Sequence, residues 1–162
     1  MAEAGDFQHA AHDFARALTI DPGYSEAHGN LGVMYINLAL PDQAAAEFRQ
    51  AIRLDPTASF HHANLALALI LLDLPEQAEP EAQAAVDMDH LNPKARYLLG
   101  FLLARRPETR DKATEHLQYA AQQMPDAHLV LAQVYRLEGA FTLAQAEKEQ
   151  YRKAMLASIK AP

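Results

Sequence analysis

Residues 25–58 read SEAHGNLGVMYINLALPDQAAAEFRQAIRLDPTA, and residues 59–92 read SFHHANLALALILLDLPEQAEPEAQAAVDMDHLN. The second stretch repeats the first at an offset of 34 positions, so that Leu31-Gly32 aligns with Leu65-Ala66. In each copy a Leu-Pro-acid-Gln-Ala motif begins nine residues after that leucine. A fixed period of this size indicates one supersecondary unit that stacks on copies of itself.

The composition favours helix and argues against several other classes of protein. Alanine and leucine dominate, whereas glycine and β-branched residues are sparse. A net charge of −7 would be repelled by a phosphate backbone, so a nucleic-acid partner is not expected. The chain has no cysteine, which excludes disulfides and thiolate chemistry.

No membrane segment or targeting segment is visible in the sequence. The longest apolar run considered, residues 65–72, is far shorter than the roughly 20 residues that a spanning helix needs. Residues 1–6 lack the basic-then-apolar pattern of a signal peptide. The compartment therefore stays open, with the cytoplasm favoured, and a targeting segment could have been lost if this chain was cut from a longer one.

The repeat can be followed outward in both directions at offsets close to 34. Phe14 matches Phe48, which makes the first helix, predicted over residues 6–19 with Asp6 as its N-cap, the second half of a repeat whose first half is missing. The later units depart slightly from the 34-residue period, because the third has a longer loop and the fourth follows at a shorter spacing. The predicted divisions are 5–22 for the incomplete repeat, 25–58, 59–92 and 93–124 for three full repeats, and 125–160 for a fourth that ends in an extended capping helix.

The ends of the predicted helices carry recognisable signals. Pro41 and Pro75 suit the first turn of a second helix, where a missing N–H costs little. Pro80 lies deeper and should kink its helix or delay its start. Ser25 and Ser59 stand at predicted helix starts, where capping explains them better than nucleophilic chemistry does.

These residues resemble the tetratricopeptide repeat. That pattern has Leu, then Gly or Ala, and an aromatic residue in its first helix, and Ala, an aromatic residue, Ala and then Pro around its second. The first full unit supplies Leu31, Gly32, Tyr35, Ala44, Phe48, Ala51 and Pro56, and the other units follow in phase. The resemblance implies an all-α, right-handed α-solenoid of antiparallel helix pairs, with small residues where helices approach closely.

One column of the repeat departs from the family pattern. His28, His62, Arg96 and His128 occupy the position of an early large residue in the first helix of each unit. Helices of successive repeats lie roughly 10 Å apart, whereas zinc ligands must lie about 2 Å from the metal. We therefore expect packing or hydrogen-bonding histidines and no metal site or other cofactor. No catalytic motif appears either, so an enzyme is not expected.

The resemblance implies a concave groove, lined by the first helix of each pair, that binds a protein or peptide. Its matching positions here are Asn30, Val33 and Asn37; Ala63, Asn64, Leu67 and Leu71; Lys94, Tyr97, Leu98, Phe101 and Arg105; and Leu129, Val130, Gln133 and Arg136. Asn30 and Asn64 are equivalent and could hold an extended peptide backbone, or serve local packing. The apolar and aromatic members suit an amphipathic helix or hydrophobic peptide, unless some are buried between helices.

A different binding mode of the family fits poorly. Some members bind an acidic C-terminal peptide through two lysines, two asparagines and an arginine. The matching positions here are Gly29, Val33, Asn64, Lys94 and Leu98, and only Asn64 and Lys94 agree. Binding of that kind is therefore not expected.

Two other roles remain open besides groove binding. The repeats could act as a structural spacer or self-association scaffold, in which the first helix, lacking its predicted partner, contacts another chain. Alternatively, the chain could be a regulatory segment of a larger protein.

Overall fold

A computed structural model describes residues 4–160, which form nine α-helices and one short 3-10 turn at Pro107–Thr109. The helices are α1 Ala4–Ile20, α2 Ser25–Asn37, α3 Pro41–Leu54, α4 Ser59–Leu71, α5 Pro75–Met88, α6 Pro93–Leu103, α7 Arg110–Ala121, α8 Asp126–Leu137 and α9 Phe141–Lys160. No strand occurs in these residues, which confirms the all-α prediction. Residues 1–3 of the segment inspected for a signal peptide lie outside the described residues.

The chain forms two compact units, Met1–Asp89 and His90–Pro162. In the first unit α2 packs on α3 and α4 packs on α5, while α1 packs on α2. In the second unit α6 packs on α7 and α8 packs on α9. The helix pairs are those of the predicted solenoid class, and the division into repeats stays a prediction.

Small residues let the paired helices approach closely. Phe48 has 0% of its surface exposed, and a Cβ atom built on Gly32 would lie only 2.6 Å from its ring. Gly100 occupies the equivalent place over Leu117, where a Cβ atom would lie 2.7 Å from Cγ. Each large side chain on a second helix thus fills the space that a missing side chain leaves on the first.

The turns between paired helices use the left-handed backbone conformation. Ala39, Asp73 and Gly139 have φ angles of 56°, 55° and 76°. In the first of these turns the Leu40 N–H donates to the Tyr35 carbonyl, at 2.9 Å, and satisfies a terminal helix carbonyl. Only the glycine carries an obvious sequence signal for this conformation.

Three predictions about helix ends were wrong. The first helix begins at Ala4, so Asp6 lies inside its first turn. The N-caps of α2 and α4 are Tyr24 and Ala58, and no side chain caps either helix. The serines that follow them instead donate across the helix pair, because their hydroxyls face the last turn of the partner helix.

Those two hydrogen bonds are equivalent. Ser25 Oγ donates to the Ala51 carbonyl at 3.1 Å, and Ser59 Oγ donates to the Ala85 carbonyl at 3.0 Å. The predicted delay at Pro80 is also absent, since α5 begins at Pro75 and continues through it.

Candidate functional site

The second unit contains an open cleft beside α6 and α8. Helix α6 begins where the Asn92 side chain accepts a hydrogen bond from the Ala95 N–H, at 3.1 Å. One side of α6 is buried, including Leu98 and Leu99, and this leaves Tyr97 and Phe101 partly exposed on the other side.

The cleft has a volume of about 230 Å³ and is mainly apolar. Its lining residues are Phe101, Ala104, Arg105, Val130, Gln133, Val134 and Leu137. The structure therefore brings together four of the predicted groove positions, Phe101, Arg105, Val130 and Gln133. Sequence reasoning missed Val134 and Leu137, although Leu137 follows Gln133 by one helical turn and shares its side of α8.

Two aromatic rings extend the apolar surface along α6. The ring centroids of Tyr97 and Phe101 lie 6.5 Å apart, with an angle of 27° between their planes. Burial, followed by the nearby Asp126 carboxylate, raises the pKa of Tyr97, so its phenol stays protonated at neutral pH. Burial lowers the pKa of Lys94, whose side chain lies only partly in solvent.

The remaining predicted positions differ in accessibility. In the second unit Leu129 and Arg136 are exposed, whereas Leu98 is buried and does not line a surface. In the first unit Asn30, Asn37 and Leu71 are exposed, Val33 and Leu67 are half-buried, and Ala63 is buried. Ala63 and Leu98 were therefore wrong as groove residues, because each is enclosed by neighbouring helices.

The two equivalent asparagines have different surroundings. Asn30 is exposed, whereas Asn64 has only 9% of its surface exposed, so a ligand would reach little of its side chain. The Asn37 amide donates to the Val33 carbonyl one turn earlier, at 2.8 Å. Backbone binding by these amides stays a prediction.

Three histidines of the repeated column each contact a glutamate on the second helix of their pair. His28 Nδ1 lies 2.7 Å from Glu47 Oε2, His62 Nδ1 lies 2.7 Å from Glu81 Oε2, and His128 Nδ1 lies 2.6 Å from Glu147 Oε2. Each pair is separated by 19 residues, a spacing that the sequence displays and sequence reasoning missed. The predicted hydrogen-bonding role of these histidines is confirmed.

The fourth member of the column is held differently. Arg96 Nε donates to the His90 carbonyl at 2.6 Å, and its guanidinium carbon lies 4.3 Å from the centre of the Tyr119 ring. This is a cation–π geometry, and it joins α6 to α7.

A further histidine, His61, is buried in the first unit, with 1% of its surface exposed. Its Nε2 lies 3.0 Å from Ser25 Oγ, which already donates to a carbonyl, so Nε2–H is the donor. Its Nδ1 is buried without a hydrogen-bond partner. Burial lowers the pKa of His61, which keeps the ring neutral.

Residues 4–160 contain neither a cluster of metal-ligating side chains nor a helix that could span a membrane. No three side chains of the types His, Cys, Asp and Glu are grouped there so as to hold a metal ion. None of the helices in that range has the length and apolarity needed to cross a bilayer.

Comparison with known protein families gives a match over part of the chain. A family model described as Tetratricopeptide repeat matches residues 1–69. No curated protein sequence matches the chain significantly.

Solved structures match over most of the chain. The crystal structure of MamA has 22% identity and a TM-score of 0.79, with 97% of this chain and 93% of that chain covered. TTC0263 of Thermus thermophilus has 24% identity and a TM-score of 0.75, with 96% and 85% covered. YrrB, described as a protein of this repeat class with an unusual peptide-binding site, has 21% identity and a TM-score of 0.71, with 91% and 77% covered. At these identities the likeness shows the fold.

Proposed function

We propose that the protein is a non-enzymatic interaction module that binds a partner peptide, a proposal that the tetratricopeptide repeat match over residues 1–69 supports. The ligand is an amphipathic helix or hydrophobic peptide whose apolar side enters the cleft beside α6 and α8. Asn30, Val33, Asn37, Asn64 and Leu67 of the first unit remain predicted contacts.

The observation that carries the proposal is the apolar cleft itself. Val130, Val134 and Leu137 follow the spacing of one helical face, and Leu137 keeps 53% of its surface exposed. Solvent-exposed apolar clefts commonly accept side chains that a helix presents at positions i, i+3, i+4 and i+7. The description of YrrB as a protein with a peptide-binding site supports a peptide ligand for this fold.

Two arginines at the cleft favour a ligand that carries acidic residues. Arg105 lines it, and the exposed Arg136 precedes Leu137 on α8. A carboxylate beside the apolar positions of the ligand would pair with a guanidinium of this kind. The proposed ligand therefore has an apolar stripe with an acidic border.

The structural-spacer role and the regulatory role differ from this proposal in one respect: neither needs an accessible cleft. A library of helical peptides displayed on phage tests that difference directly. We expect the wild-type chain to select peptides with an apolar stripe. Phe101→Glu should weaken binding of the selected peptides by about tenfold or more, since it puts a carboxylate in the cleft.

Leu143→Glu serves as the matched control, because Leu143 is 52% exposed on α9 of the same unit and does not line the cleft. Its binding should equal that of the wild type. The proposal would be contradicted if the wild-type chain selected no peptide, or if the Phe101→Glu variant bound the selected peptides as tightly as the wild type.

A further inference from the structure

The first helix has an apolar face that its unit leaves partly uncovered. Ala10, Phe14 and Ala17 are partly exposed on α1. Their equivalents 34 positions later, Ala44, Phe48 and Ala51, each have 0% of their surface exposed because α2 covers them. In the first unit α1 packs mainly on α2, and that contact leaves these three side chains partly exposed.

Acidic residues border this α1 face, which we define as Ala10, Phe14 and Ala17. Asp6 and Asp13 lie seven positions apart and therefore on one side of α1. His12 Nδ1 lies 3.8 Å from Asp13 Oδ1, at the exposed side of the helix. The first unit as a whole has 14 acidic residues and 3 basic ones, a formal charge of −11.

The last helix carries a surface of opposite charge. Lys148, Arg152, Met155 and Ile159 recur at the spacing of one helical face, with Leu156 beside them. All five residues are exposed, and Ile159 has 77% of its surface in solvent. We call this set the α9 stripe.

The electrostatic environment of the α9 stripe is basic. Arg152 Nη1 lies 3.5 Å from Glu149 Oε2, while lysines flank this pair in the sequence. The second unit has 7 acidic and 11 basic residues, a formal charge of +4, which together with −11 gives the −7 of the chain.

We propose that the α9 stripe of one copy packs on the α1 face of a second copy. The proposal goes beyond peptide binding, because it uses neither the cleft nor its ligand. The α1 face covers seven residue steps and the α9 stripe eleven, about 10 Å and about 17 Å along their helices, so the face fits within the length of the stripe. The apolar end of the stripe packs on the α1 face, while the basic end at Lys148 and Arg152 lies against the acidic border of that face.

This interface joins two different surfaces, so a pair of bound copies still offers one free α1 face and one free α9 stripe. Such a head-to-tail contact produces oligomers that grow with concentration. Because the two borders carry opposite charges, added salt should weaken the association.

Sedimentation velocity at low salt over a range of chain concentrations tests the proposal. The first variant, Ala10→Lys with Ala17→Lys, places positive charge on the α1 face. The second variant, Met155→Glu with Ile159→Glu, places negative charge on the α9 stripe at exposed positions. Circular dichroism checks the fold of each. Either variant alone should weaken association by about tenfold or more.

Mixing the two variants gives the decisive result. Each retains the surface that the other lacks, so an equimolar mixture should associate where neither variant does so alone. Phe101→Glu, which leaves both surfaces intact, should associate like the wild type, so failure of the peptide proposal would not affect this one.

Several results would overturn the proposal. These are a wild-type chain that stays monomeric at every concentration, variants that associate like the wild type, or a mixture that stays monomeric while the wild type associates. Binding of the α9 stripe to phosphatidylserine vesicles by a strictly monomeric chain would assign that surface to a membrane instead.

Discussion

At the scale of single residues, the packing of paired helices depends on small residues, which leave space for large side chains of the partner helix. The Phe48 ring occupies the space beside Gly32, and the Leu117 side chain does so beside Gly100. Ala44 and Ala51, two alanines of the repeat pattern, are fully buried between helices. Repeating small residues thus set the distance between paired helices, as the sequence pattern predicts.

Gly32→Ala should reduce the free energy of unfolding by about 1–3 kcal/mol, because the added Cβ atom would overlap the enclosed Phe48 ring. Gly5→Ala is the matched control, since a Cβ atom there has no neighbour within 4 Å. That change should stabilise α1 by up to about 1 kcal/mol. Urea unfolding measures both, and equal effects would contradict the packing described for Gly32.

A second prediction concerns pH. Burial lowers the pKa of His61 in the folded chain below its ordinary 6.5. As the pH falls, His61 therefore binds a proton in the unfolded chain before it does so in the folded chain. The stability that depends on neutral His61 is therefore fully present above about pH 6.5 and declines as the pH falls below that value.

The variant His61→Gln keeps an N–H donor for Ser25 and removes the titration. Between about pH 7.5 and pH 5.5 the wild type should lose more unfolding free energy than this variant does. Urea unfolding at the two pH values measures the difference. Identical losses in both proteins would show that His61 does not control this part of the pH dependence.

Not every residue property followed from the sequence. Asn30 and Asn64 are equivalent in the repeat, yet one is exposed and the other is buried. Burial depends on the side chains of neighbouring helices, and those differ between units. For the same reason the unpaired Nδ1 of His61 has no sequence signature.

At the scale of helices and turns, the repeat period predicts most of the architecture. The second helices of the first two full units begin at Pro41 and Pro75, as expected for proline in a first turn. Pro80 does not delay α5, because its neighbours hold that helix against α4. Tertiary packing here overrides a local preference.

The three histidine–glutamate pairs are a feature of the repeat that sequence reasoning missed. The 19-residue separation recurs three times and can be read from the sequence once a helix pair is assumed. What the sequence does not provide is the direction of each side chain, which decides whether such residues meet. The cleft is a similar case, since Val134 and Leu137 belong to the unit whose spacing departs most from 34.

At the scale of the whole molecule, charge is distributed unevenly along the chain. The unit that ends at Asp89 has a formal charge of −11, and the unit that begins at His90 has a formal charge of +4. The repeat pattern does not predict this asymmetry of charge, since charged residues lie at positions that the packing does not constrain. Charge asymmetry of this kind influences the choice of partner, and the proposed association between copies depends on it.

Binding of a ligand in the cleft beside α6 and α8 is the property on which the proposed function depends. Hydrogen exchange monitored by mass spectrometry, with and without a peptide selected by the wild-type chain, tests it most directly. We predict slower exchange on binding within Pro93–Leu103 and Asp126–Leu137, and no such change in the Phe101→Glu variant. Protection confined to α1 or α9, with α6 and α8 unchanged, would contradict cleft binding.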